Sequence, residues 1–124
     1  MTQWIAAELD AVGAAEELQI APRRSDGSPA PFTTIWVVRV GDDLYVRSWR
    51  GREGGWFRQA LRHHEGRIRA GGVERDVTFE DVTDTDQPAI DAAYRTKYAR
   101  YAGTYVEPMV SPAAAAAALR LVAS

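Results

Sequence analysis

Cysteine is absent from the 124 residues, which excludes disulfides, thiol nucleophiles and every thiolate metal site. Lysine is nearly absent: Lys97 is the only one among 15 basic side chains, an arginine bias of the kind a GC-rich genome produces. The two histidines, His63 and His64, are adjacent. Neighbours on a helix point about 100° apart, so the pair does not chelate one ion, and with no third spaced ligand no metal site is expected. No apolar run approaches the roughly 20 residues needed to cross a bilayer. The opening MTQWIAAELD carries acids early and lacks the basic start of a secretory signal. No membrane association and a cytoplasmic location are therefore expected. The phosphate-loop pattern GxxxxGK[ST], the dinucleotide pattern GxGxxG and the nucleophile elbow GxSxG are all missing.

What is present suits one ordinary core. The length is that of a single domain, and 46% hydrophobic with 26% charged residues is normal for a globular chain. The net charge of −2 hides an uneven distribution. Eight arginines stand between Arg47 and Arg75 against Glu53, Glu65 and Glu74, and six acids with no base follow from Asp76 to Asp91. One region can thus attract an anion while the whole chain stays weakly acidic. That acidity, with the acidic stretch, argues against a nucleic-acid partner.

The pattern predicts a helix over Gln3–Val12, capped by Thr2 and ended by Gly13. A short strand is expected over Glu17–Pro22 and a loop over residues 23–31. Phe32–Val40 (FTTIWVVRV) is rich in β-branched and aromatic residues and apolar on both faces, so it reads as one strand central to a sheet. Gly41-Asp42-Asp43 turns the chain into a second strand over Leu44–Trp49. A helix over Gly55–His64 places Trp56, Phe57, Ala60 and Leu61 inward and both histidines at its end, where positive charge is favoured. Gly71-Gly72 joins the strands Arg67–Ala70 and Val73–Val82. Asp84 or Asp86 then caps a helix over Gln87–Ala102 with Ile90, Tyr94, Tyr98 and Tyr101 along one side. A short alanine-rich helix leads into a last strand containing LRLV. Short turns, not crossovers, connect these strands, which predicts an α+β fold: a small antiparallel split-barrel-like sheet with flanking helices.

Two segments carry candidate chemistry. In RSWRGREGGW, residues 47–56, glycines Gly51, Gly54 and Gly55 let backbone N–H groups face a ligand. Arg47, Arg50 and Arg52 can bind phosphate oxygens, Ser48 adds a hydroxyl, and the next helix begins here with its partial positive charge. The other reading is a solvated basic turn whose Trp49 and Trp56 belong to the core. In Tyr94-x-x-Lys97-Tyr98-x-x-Tyr101, the candidates Tyr94, Lys97 and Tyr98 suit a catalytic tyrosine–lysine pair. They equally suit a helix face that packs its rings while the lysine reaches water.

The runs TTIWVVRVGDDLYVRSWRG, GGW, IRAGGVERDVTFEDV, IDAAYRTKYARY and LRLV, in that order, closely resemble an uncharacterised bacterial family, domain of unknown function family 2255. That resemblance implies no reaction. More loosely, the chain resembles the FMN- and deazaflavin-binding split-barrel superfamily, including the deazaflavin-dependent nitroreductases. Arg24-Ser25-Asp26-Gly27 stands where their first loop would be, and Arg47–Gly51 followed by Trp56 where their phosphate-gripping segment would be. Trp56-Phe57-Arg58-Gln59 departs from their tryptophan-tyrosine-histidine-asparagine stretch. The resemblance implies FMN or a deazaflavin as cofactor, held by Arg47, Ser48, Trp49, Arg50, Gly51, Arg52, Gly54, Gly55 and Trp56. It also implies a homodimer with the cofactor between subunits, and small-molecule reduction. The alternatives are a cofactor-free barrel that binds a small ligand or performs acid–base chemistry, with walls from Trp36, Tyr45, Trp49 and Tyr98, and an interaction module.

Overall fold

The computed structural model describes residues 4–24, 26, 28, 31–82, 87–101 and 106–123. Seven strands form one antiparallel sheet: β1 (Leu18–Pro22), β2 (Thr33–Ile35), β3 (Val38–Val40), β4 (Asp43–Arg47), β5 (Glu65–Ala70), β6 (Val73–Asp81) and β7 (Ala118–Ala123). Their spatial order is β2-β1-β5-β6-β7-β4-β3. Around the sheet lie α1 (Ala6–Ala14), α2 (Gly55–His63), α3 (Gln87–Lys97), and the short α4 (Val106–Met109) and α5 (Pro112–Ala115). This is the expected α+β half-barrel with flanking helices. No described helix is long and apolar enough to cross a membrane.

The segment Phe32–Val40 is not one central strand. It divides into β2 and β3, which are the two outermost strands of the sheet. Only Trp36 and Val37 separate them, so the sheet must curl until its edges meet across that bridge. Both faces of the run are apolar for a different reason than central position. Val37 packs into the interior with Leu18, Ile20, Phe57 and Phe79. Val38 packs outward with Tyr45, Ile90, Tyr94 and Tyr98. The bridge therefore lies between two hydrophobic clusters, one inside the curl and one beneath α3.

The turns follow the sequence closely. Ala70 pairs with Val73 across Gly71-Gly72, whose φ values of 57° and 84° are both positive, as a two-residue I′ hairpin requires. Val40 pairs with Asp43 across Gly41-Asp42. The last strand, β7, enters between β6 and β4, and Ser111 caps the alanine-rich α5 that precedes it by accepting from the Ala114 N–H at 3.2 Å.

The first helix differs from expectation. It opens at Ile5, whose N–H donates to Glu8 Oε1 at 3.2 Å, and it runs through Gly13 to Ala14. Gly13 lies inside the helix instead of ending it and packs close under Arg39, where a Cβ would lie 3.1 Å from Cδ and the arginine side chain would have to shift slightly. The expected caps Thr2, Asp84 and Asp86 lie outside the described residues.

Candidate functional site

A cleft of about 850 Å³ opens where β2, the end of β4, the start of α2 and the α4 turn converge. One wall is the loop after β4. The chain leaves the sheet at Arg47, makes a 3-10 turn over Gly51–Glu53 and enters α2 at Gly54. Gly54 caps α2 without a side-chain hydrogen bond, so the cap residue itself satisfies none of the first-turn N–H groups. A Cβ on Gly55 would meet nothing within 4 Å, whereas one on Gly54 would overlap Ser48 Oγ. The two glycines thus serve different needs, an open backbone face and tight packing on the serine.

Of the nine residues singled out in this stretch, the cleft brings together Arg47, Ser48, Trp49, Arg50, Gly54, Gly55 and Trp56. Gly51 and Arg52 are not in its lining. Gly51 instead has the positive φ of 70° that bends the loop, and Arg52 turns away. Its Nη1 donates to Ala116 O at 2.8 Å and its Nη2 to Asp81 at 3.2 Å.

The three arginines are chemically distinct. Arg47 is 1% exposed. Its Nη1 donates to Asp91 Oδ1 at 2.5 Å and Met109 O at 2.9 Å, and its Nη2 to Gln87 Oε1 at 2.6 Å. The guanidinium also lies 5.5 Å from the centre of the Tyr94 ring. Its Nε is buried with no partner among the described residues. Arg50 is exposed, packs its guanidinium over Trp49 at 5.5 Å, and has no carboxylate partner among the described residues. Hence Arg50 is the cleft cation able to neutralise an anion, and Arg47 is a brace between β4, α3 and α4.

The acids that follow Asp76 in sequence meet the arginines in space. Arg67 pairs with Glu74 and Asp76, Arg52 with Asp81, Arg120 with Glu80 and Arg47 with Asp91. Three of the eight arginines between Arg47 and Arg75 thus pair with the acidic stretch in the fold.

The tyrosine–lysine group is elsewhere. Tyr94 and Tyr98 are buried under α3, and neither they nor Lys97 line the cleft. Lys97 Nζ donates to Val37 O at 2.6 Å. The Tyr98 hydroxyl accepts from the Val37 N–H at 3.3 Å and lies 2.6 Å from Glu16 O, to which it donates. These side chains supply the backbone partners that the bridge between the sheet edges lacks. Burial pushes the Lys97 ammonium down to about 8, with Glu16 opposing, and burial raises both the Tyr94 and Tyr98 phenols well above their ordinary value.

Residues 8–121 match the family described as "Uncharacterized protein conserved in bacteria (DUF2255)". The chain belongs to the DUF2255 family. No curated protein matches it. Among solved structures, the conserved hypothetical protein Rv2991 from Mycobacterium tuberculosis is similar to this DUF2255 chain with a TM-score of 0.66 at 18% identity, over 99% of this chain and 86% of that one. A structure named F420 reductase gives 0.55 at 18% identity, over 93% and 90%. A FAD-binding protein (mll6688) from Mesorhizobium loti gives 0.58 at 15% identity, over 99% and 92%. At these identities the likeness is one of fold.

The cleft of this DUF2255 member also uses residues that sequence reasoning did not place in the cofactor site. Thr33, Thr34, Ile35 and Trp36 come from the edge strand and bridge, Tyr101 from the turn after α3, and Pro108 and Met109 from α4. Trp36 stacks on Tyr98 with ring centroids 3.8 Å apart and planes 2° from parallel. It was legible only as an aromatic wall of a possible barrel. Pro108 and Met109 had no periodic signal, because their helix is a single turn.

Proposed function

We propose that the cleft binds a phosphate-bearing flavin or deazaflavin and that the protein is a small-molecule reductase. The observation that supports this best is the cleft itself. An α2 amino terminus without a side-chain cap, with Gly55 open beside it and Arg50 adjacent, faces a volume of about 850 Å³ walled by Trp36, Trp49, Trp56 and Tyr101. Ligand pockets of roughly 300–1,000 Å³ with apolar walls and a few placed polar groups are the usual form of cofactor sites. The residues fit the group: phosphate at the helix terminus and Arg50, and a planar ring against the tryptophans. The fold shared with proteins named F420 reductase and FAD-binding protein supports the same reading.

When bound, such a ring supplies the hydride chemistry. The chain's part is binding, orientation and exclusion of water. Arg50 and the Gly55 and Trp56 amides hold the phosphate, Trp49 and Trp56 cover the ring, and Tyr101 with Trp36 lines the side left for substrate. Acid–base chemistry without a cofactor is less well served, because no carboxylate or histidine is among the described lining residues. A homodimer belongs to this proposal, with Trp49, 61% exposed, as the rim residue that a second copy would cover. A thermal-shift screen over FMN, FAD, deazaflavins and nicotinamides, repeated with Arg50→Ala, tests the reading. Flavin or deazaflavin phosphates should raise the melting temperature, and a protein indifferent to all of them would contradict it.

A further inference from the structure

Tyr98 acts on the cleft without lining it. We infer that the Trp36 side of the cleft takes a flat, uncharged ring as substrate, and that Tyr98 is the positioning residue that holds the Trp36 wall for it. This names a substrate class for the site described above and rests on the flavin-class reductase reading.

The geometry begins with the indole. Trp36 lines the cleft and is half-buried. Its ring lies flat on that of Tyr98, with centroids 3.8 Å apart and planes 2° from parallel, and Tyr101 flanks it at 5.5 Å. Tyr98 is itself 1% exposed. Its hydroxyl accepts from the Val37 N–H at 3.3 Å and donates to Glu16 O at 2.6 Å, which fixes the far end of the ring. Lys97 Nζ holds the backbone beside Trp36 by donating to Val37 O at 2.6 Å. A wall fixed before its ligand arrives loses little rotamer freedom when the two pack together.

The substrate class follows from what stands around that wall. Thr33, Thr34, Ile35 and Tyr101 line the cleft beside Trp36, and none carries a carboxylate, ammonium or guanidinium. The cationic groups of the lining belong to Arg47 and Arg50. The first is paired with Asp91, and the second is assigned to the phosphate. An ionic substrate would lose hydration here without gaining a counter-ion. A flat ring instead gains the apolar contact and stacking that a fixed indole offers. Thr33 and Thr34 are exposed, and their hydroxyls suit a neutral polar group at the edge of such a ring.

Binding alone, without turnover, tests this. The protein is loaded with whichever of FMN and 5-deaza-FMN it binds more tightly, then titrated by calorimetry with 2-naphthamide and 2-naphthoate. The two probes share a flat ring and differ in charge. The amide should bind more tightly than the carboxylate by roughly tenfold. Tyr98→Leu should weaken the amide by roughly fivefold and leave cofactor affinity unchanged. Tyr98→Phe loses both hydroxyl hydrogen bonds but keeps the stacked ring, so amide affinity should stay at the wild-type value. A merely structural tyrosine would make amide affinity fall in step with stability in both variants. If Tyr98→Leu does not fold, Trp36→Leu removes the wall itself and should show the same loss of roughly fivefold. The inference is overturned if the carboxylate binds as tightly as the amide, if removal of the stack leaves amide affinity unchanged, or if Tyr98→Phe alone produces the full loss. Wild-type protein that binds cofactor but not the amide overturns it too, and leaves the flavin-class reading standing. Wild-type protein that binds neither cofactor overturns that reading and this inference with it.

Discussion

Among single residues, Arg47 shows most clearly what a sequence conceals. Arg47, Arg50 and Arg52 stand within six positions and are chemically identical as letters. Strand pairing decides between them. Arg47 is the last residue of β4, opposite Ala118, so its side chain enters the space beneath α3. Arg50 and Arg52 lie beyond the strand, in the turn. Arg47 is buried while the Asp91 side chain is 36% exposed, so losing the carboxylate leaves a charge that is partly compensated by its remaining acceptors and by solvent near Asp91. Asp91→Asn should therefore lower the unfolding free energy by about 1–3 kcal/mol. Arg50→Ala, on the surface, should change it by no more than about 0.5 kcal/mol. Urea denaturation of the two variants checks this contrast.

The level of elements explains both the main success and the main error of pattern reading. Turn chemistry carried the hairpins, because Gly41 and the Gly71-Gly72 pair adopt the positive φ that those turns need. The glycine-rich turn between Arg47 and the start of α2 was legible too, and seven residues of Arg47–Trp56 line the cleft. The division of Phe32–Val40 was not legible. Alternation reports which residues are apolar, and a bridge between an interior cluster and a helix-covered cluster gives the same record as a central strand. Likewise, no local pattern could say that Gly54 abuts a serine six residues earlier. A Cβ there would overlap Ser48 Oγ, so Gly54→Ala should destabilise the protein by about 1–3 kcal/mol. Ser48→Ala removes the overlapping atom. The double variant should then be more stable than the sum of the single effects predicts, a coupling measurable by a double-mutant cycle.

For the whole molecule, the fold depends on holding together a sheet whose two edges belong to one run of chain. Lys97 and Tyr98 do this at Val37, with Tyr98 reaching Glu16 as well. The seam has a pH signature. Lys97 is held at about 8 when folded, below the ordinary lysine value, so above that pH the unfolded chain binds a proton the folded chain lacks. Stability from this group therefore rises with pH from about 8 toward about 10. The Tyr98 phenol is shifted the other way, so above about 10 its ionisation on unfolding makes stability fall. Lys97→Met should abolish the rise between about pH 8 and 10 and leave the later fall, as read by denaturant midpoints across that range.

The same curled sheet creates the cleft, because the bridge that joins its edges places Trp36 opposite the α2 terminus. The claim that this cleft is a phosphate-bearing flavin or deazaflavin site is tested most directly by the melting temperature of the wild-type protein with increasing FMN or 5-deaza-FMN. At a hundredfold excess over Kd, binding should add about 2.7 kcal/mol, a rise of roughly 10 °C for a chain of this size. Arg50→Ala should need a higher ligand concentration for the same rise. A melting temperature that stays constant at millimolar concentrations of both ligands would contradict the account.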